Sequence, residues 1–213
     1  MTHVTDIDEA IEILSGEMVV TAQQARQALG EEDFGRSIDL LLFSADTLRQ
    51  CAGQNQQNEA DWRLMFDPGI SLAAMRQLFG TNGAKREPHF YRNRWWLKPG
   101  NEWACSSRSP RYHLLNFARN HTRNRWGDQP ERCAKGVVRA NEAVVTAVCF
   151  ANCIVHNDER LLGEWYHWGW HGVSKDKHVA VGGFDRYGFY VWFNADTNPT
   201  FDVGMVEELA QDQ

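Results

Sequence analysis

Through the first 80 residues, apolar side chains recur every three or four positions, the spacing of helices that bury one face. Ile11, Ile13 and Leu14 follow Asp6 and Asp8, either of which can cap a short helix that Gly16 ends. Thr21 and Gln24 have capping-box spacing at the head of Ala22, Ala25 and Leu29, with Gly30 as the stop. Ile38, Leu41, Leu42, Ala45 and Leu48 predict an amphipathic helix over 37–51, and 54–58 is a polar loop. Ser71 caps a further helix carrying Leu72, Met75, Leu78 and Phe79, closed by Gly80 and Asn82-Gly83.

The pattern changes after residue 84. Pro88, Pro99-Gly100 and Pro110 divide short segments, of which 89–97 reads as an aromatic-rich strand and 111–125 as a helix with Leu114, Leu115, Phe117 and Ala118 inward. Asp128, Pro130 and Glu131 mark a helix start, and the segment they open runs to about Val155. Residues 143–155 are apolar nearly all round, which fits a buried helix or a buried strand; the strong start signal favours the helix. Beyond Leu161 the period becomes two. Leu162, Tyr166, Trp168 and Trp170 point one way, and Trp165, His167 and His171 the other, so Trp168 and Trp170 are expected buried opposite the histidines. Residues 178–181 and 189–193 read as a hairpin around a wide glycine loop at 182–188, and with the preceding strand they make a three-stranded antiparallel meander. Asp202 is expected to start a short final helix through Val206 and Leu209.

These elements predict an α+β fold: a helical N-terminal part packed with a C-terminal antiparallel sheet and one long buried helix. Two regions are expected, 1–84 and 85–213, or a single domain overall. The length of 213 residues can bury a proper core, and 43% apolar with 23% charged residues is ordinary globular usage. Eight of the nine tryptophans lie after residue 94, so the large aromatic surface belongs to the second half. No run of about 18 apolar residues predicts a membrane span. The N-terminus lacks a signal-peptide pattern, and five irregularly spaced cysteines read as reduced thiols in a cytoplasm.

Charge adds the one functional hint. Residues 1–84 hold 5 Arg against 13 Asp/Glu, a net of −8; 85–126 hold 10 Lys/Arg against 2 Glu, a net of +8; 127–213 hold 7 basic against 13 acidic residues, a net of −6. Within the basic stretch, arginines alternate with aromatic side chains. Guanidinium groups pair with phosphate oxygens, and aromatic faces stack on unpaired bases. The expected function is therefore a non-enzymatic binding protein for an anionic partner, nucleic acid first and an acidic protein second. Its expected ligand-binding residues are Arg92, Arg94, Trp95, Arg119, Arg123, Arg125 and Trp126, with the arginines forming one exposed cationic surface. The competing expectation is that these arginines neutralise the acidic flanks internally.

Other constellations are weaker. His167 and His171, four apart on a strand, lie about 13 Å from one another, too far for one metal ion unless the strand bends. Cys149, Cys153 and His156 share a helix face but are flanked by apolar residues, so no structural zinc and no cofactor is expected. Cys105, beside Arg108, with His113, His121 or Asp128, has the residue types of a nucleophilic site without a diagnostic spacing. The alternative functions are a small metal-assisted or cysteine-dependent enzyme using the His167/His171 face, or a structural component of a phage or mobile element. The region around Thr21 and Ile38 is no helix-turn-helix, because Glu31, Glu32 and Asp33 in its connection would repel phosphates.

Overall fold

The computed structural model describes residues 6–30, 41–83, 87–119, 122, 124–129, 133–196 and 202–211. The fold is α+β. Helices α1 (Ile7–Leu14), α2 (Ala22–Leu29), α3 (Ala45–Gln56), α4 (Leu72–Phe79) and α5 (Glu142–Val155) combine with two sheets. The first sheet orders its strands β1 (Val19–Val20), β2 (Trp62–Asp67), β3 (Arg111–Asn116), β9 (Glu207–Leu209) and β4 (Val137–Arg139). The second orders them β7 (Gly188–Ala195), β6 (Lys177–Asp185), β5 (Tyr166–Ser174) and β8 (Val203–Gly204).

Local signals set the helix ends. Thr21 and Gln24 make both bonds of the capping box, and Gly30 closes α2 in the left-handed region at φ 73°. Ser44 and Ser71 cap α3 and α4 through hydroxyls that accept the N–H of Thr47 and of Ala74. The expected helix over 37–51 therefore begins later, at Ala45, and residues 37–40 lie outside the described residues. Asn141 caps α5 by accepting the N–H groups of Ala143 and Val144. From Glu142 to Cys153 every residue of α5 is buried, against α2, α4 and strands of both sheets. Its Phe150 is the hub of an aromatic cluster, with Phe90 stacked at 4.7 Å, Phe79 at 4.9 Å, Phe184 at 5.3 Å and Phe189 at 5.6 Å.

Several sequence expectations are corrected. Residues 62–67, expected within a helical region, form β2, buried at all six positions between β1 and β3. A strand covered on both faces shows no alternation, so its sequence carries no period. Residues 111–116 are β3, not a helix, paired to β2 on one side and β9 on the other. Residues 89–97 are not a strand: Phe90 alone bridges to Thr81 and Phe189, and Trp95–Leu97 is a 3-10 turn. Asp128 ends a second 3-10 turn, β4 intervenes, and α5 starts only at Glu142; Pro130 and Glu131 lie outside the described residues. The expected C-terminal helix is instead β8 and β9, since pairing with β5, β3 and β4 overrides a weak local preference.

The meander β5–β6–β7 is as expected, with β8 added in parallel. Its turn is tighter than the expected wide loop, because β6 continues to Asp185 through a bulge after Gly182. Gly183, at φ 55°, leaves no room for a side chain: a Cβ there would lie 2.5 Å from the Tyr166 hydroxyl. A second irregularity follows Trp168, where the register to β6 shifts before Gly172. This bulge breaks the expected alternation. Trp168 is 1% exposed as expected, but Trp170 is 53% exposed. We expect Trp168→Ala to cost about 3–5 kcal/mol, as for large aromatic truncations in cores, and Trp170→Ala at most about 1 kcal/mol. Urea unfolding of the two variants measures the difference, and equal losses would contradict the assigned burial.

Candidate functional site

Residues of β6 sort by alternation onto the two faces of the second sheet. Val179 and Val181 enter the core, and His178, Ala180 and Gly182 face away from it. The register places Trp168 and Trp192 on either side of Ala180, and Tyr166 and Tyr190 on either side of Gly182. Two small residues thus form a floor between two aromatic pairs. Trp168 is covered by Trp126 and Val203, whereas Trp192 is 41% exposed and stacks on Tyr190 at 5.4 Å with a 15° tilt.

The basic segment approaches this sheet at two opposite edges. Residues 89–95 run beside the outer edge of β7, where Tyr91 donates its N–H to the Phe189 carbonyl and Asn93 and Trp95 donate side-chain N–H groups to the Val191 carbonyl. Arg92 and Arg94 are exposed there. At the other side, Arg119 pairs with Asp202 at 3.3 Å just ahead of β8, and Arg125 is exposed beside Trp126. Arg123 and His121 lie outside the described residues. Among the described residues no carboxylate lies within 4 Å of Arg92, Arg94 or Arg125. The described arginines therefore form two groups bracketing one sheet rather than one block.

Part of the basic segment is neutralised internally. Arg108 is held by both oxygens of buried Asp67 at 2.9 and 3.1 Å. Glu208 takes His113 at 2.7 Å and Arg111 at 3.4 Å. The acidic flanks engage these three and Arg119, and among the described residues leave Arg92, Arg94, Lys98 and Arg125.

Trp95 and Trp126 are used up within the protein. Trp126 donates its indole N–H to the Gly169 carbonyl. His178 stacks on its ring at 3.6 Å and 9°, so the Arg139 guanidinium, 4.2 Å from the ring centroid, takes the other face. The half-buried Trp95 ring packs edge-on against Phe193 at 5.1 Å and against Trp103. Among the described residues the aromatic side chains that stay exposed are Trp170, Tyr187 and Trp192. Trp192 was legible as a candidate from the period-two pattern of Tyr190, Trp192 and Asn194, which sends all three to one face.

The histidines divide into two kinds. His167 is fully buried and burial pushes its pKa down to about 3, so its ring is neutral. Its Nδ1 accepts the Val206 N–H and its Nε2 donates to the Ala140 carbonyl, both at 2.9 Å, clamping β5 to the approaches of α5 and β9. It cannot reach a ligand. His171 is half exposed, stacked on Trp103 at 5.6 Å, with Nδ1 hydrogen-bonded to the buried carboxylate of Glu142. Burial alone would raise the Glu142 pKa, but the bonds from His171 and the Trp170 N–H hold it below the usual carboxylate value. The same pairing raises His171.

Burial raises the thiol pKa of Cys149 well above its usual value and that of Cys153 to about 12, and Cys153 donates to Asp158. Cys105 is exposed after the 3-10 turn Glu102–Ala104. Among the described residues no three His, Cys, Asp or Glu side chains gather as a metal-ligand set, and no helix is long and apolar enough to cross a membrane. Comparison with protein-family models, curated proteins and solved structures returned no match.

The Glu142–His171 pair makes stability depend on pH in a stated direction. The imidazole contributes below its unfolded pKa of about 6.5 and loses that contribution as pH rises through its raised folded value; the carboxylate contributes above about 4.3 and loses it as pH falls through its lowered value. The stability difference between the protein and His171→Gln should be largest between roughly pH 4.5 and 6.5, about 1–2 kcal/mol after allowing for screening of the half-exposed ring. Denaturant midpoints across pH 3–9 measure it, and a flat difference would refute the pairing.

Proposed function

We propose that the protein is a non-enzymatic binding protein for an anionic partner, with single-stranded nucleic acid as the leading candidate. The supporting observation is the set of exposed arginines without carboxylate partners, Arg92 and Arg94 along the β7 edge and Arg125 next to the Trp126 that lies over β5 and β6, around an outer face that carries Tyr190 and the exposed Trp192. A strand of nucleic acid laid over β7 meets cations at its rim, a stacking surface on Trp192 and Tyr190, and a further cation beside Trp126, the combination that holds unpaired bases. The overall charge of −6 opposes diffuse attraction to duplex backbones, so a local arrangement of this kind has to carry the binding. An acidic protein surface is a second candidate for the same arginines.

Anisotropy titrations with a single-stranded oligonucleotide and its duplex, at several salt concentrations, test the proposal. Three neutralised phosphates give a log–log salt slope near −2 on the single strand, and Arg94→Ala or Arg125→Ala should each remove about 0.7 of it. Trp192→Ala should weaken the single strand by about 1–3 kcal/mol and leave the duplex unchanged. Absence of binding at low salt, or loss on Trp95→Ala but not Trp192→Ala in folded variants, would overturn this reading.

A further inference from the structure

A second site is carried by a different observation, and does not rest on the nucleic-acid reading. Arg139 is the last residue of β4, the strand at the end of the first sheet. Alternation leaves its neighbour Val138 42% exposed and sends Arg139 inward, where it is 5% exposed. Its Nη2 donates to the Trp126 carbonyl and to Gln129 Oε1 at 3.2 Å. Nε is enclosed without a hydrogen-bond partner, and among the described residues no carboxylate lies within 4 Å of the guanidinium. The nearby acids are engaged elsewhere: Glu142 by His171, Asp196 by His178 at 2.7 Å, and Glu207 by Asn116 at 2.7 Å. A buried cation with no directly paired carboxylate is costly, and burial lowers the Arg139 pKa to about 10 despite the more distant charges of Asp196 and Glu142.

Beside this guanidinium opens a cavity of about 340 Å³, lined by Trp126, Val137, Val138, Arg139 and Trp170. Its volume falls at the small end of ligand pockets, about 300–1,000 Å³. The walls are apolar and aromatic, and the lining carries one charge. Trp170 is fixed as a wall by the bond from its indole N–H to the Arg139 carbonyl at 2.6 Å. We propose that this cavity binds a small organic monoanion, a carboxylate on a flat apolar body, whose charge offsets that of Arg139 while the body lies against Trp170 and Val138. A single guanidinium matches a carboxylate in charge. A phosphate dianion would keep half its charge uncompensated among apolar walls.

Calorimetric titration with 1-naphthoate, its uncharged isostere 1-naphthamide and 1-naphthyl phosphate tests the assignment. The carboxylate should bind about tenfold or more tightly than the amide, the margin of one charge-assisted hydrogen bond. Val138→Glu, at an exposed position outside the core, sets a fixed carboxylate at the cavity. It should bind naphthoate about tenfold or more weakly than Val138→Gln, which alters the same wall without adding charge, with melting temperatures confirming that both variants fold. Arg139→Gln, where folded, should bind acid and amide alike. Equal binding of acid and amide by the unaltered protein would reduce the cavity to a non-specific apolar pocket and overturn the proposal. So would tighter binding of the phosphate, no heat at millimolar naphthoate, or a Val138→Glu variant that binds as tightly as Val138→Gln.

Discussion

Helix α5 is apolar on every side, and the rest of the structure is arranged to cover it. A helix without a polar face cannot rest on one layer. Here α2 and α4 cover part of the circumference, and strands of both sheets cover the rest. This requirement reaches the site through the helix N-terminus. Because the first turn is covered too, Glu142 is buried, and a buried carboxylate needs donors. The chain of β5 supplies them by bulging after Trp168, so that the Trp170 N–H and His171 both reach Glu142. The approach is close enough that a Cβ on Gly169 would lie 2.7 Å from the carboxylate oxygen. The same bulge turns Trp170 outward, where it forms the wall of the Arg139 cavity. One buried helix thus dictates a buried acid, the acid dictates the bulge, and the bulge exposes a tryptophan.

What could be read from the sequence was what local chemistry decides. Thr21 with Gln24, Ser71 and the glycine-bounded hairpin act within a few residues of themselves and are legible as such. The long apolar segment from 143 to 155 is a helix as expected, although the start signal behind that expectation, at Asp128, is not its cap; Asn141 is. The strands β2, β3, β8 and β9 were not legible, because each is defined by partners far away in the chain. Asn116 pairs opposite Glu207, and their side chains bond across 91 residues. Short strands buried on both faces have neither period nor length to mark them.

The same distinction governs the candidate site. The concentration of cations over 85–126 was visible at once, but which of them are neutralised was not. Arg108 finds Asp67 from 41 residues away, and Arg111 finds Glu208 from 97. Nor could the sequence tell that Trp126 is enclosed between His178 and Arg139 while Trp192, inside an ordinary-looking strand, stays accessible. Tryptophan composition identifies candidates for stacking; only packing decides which rings keep an open face.

The segment 89–95 also has a purely structural use. The outer edge of β7 would otherwise present unpaired carbonyl groups, and exposed strand edges recruit other strands. Tyr91, Asn93 and Trp95 close that edge, and charged side chains alternating with them, Arg92 and Arg94, are a common means of keeping an edge from pairing. Edge protection alone would account for those two arginines. It does not account for an open aromatic face beside them, since protection is achieved at the edge and gains nothing from Trp192 standing in solvent on the half-buried Tyr190, where apolar surface is a liability. Nor does it explain Arg125, which follows a different stretch of chain, next to the Trp126 that covers Trp168. The exposed Trp192 and Arg125 are what edge protection leaves over, and the proposed nucleic-acid ligand would use both.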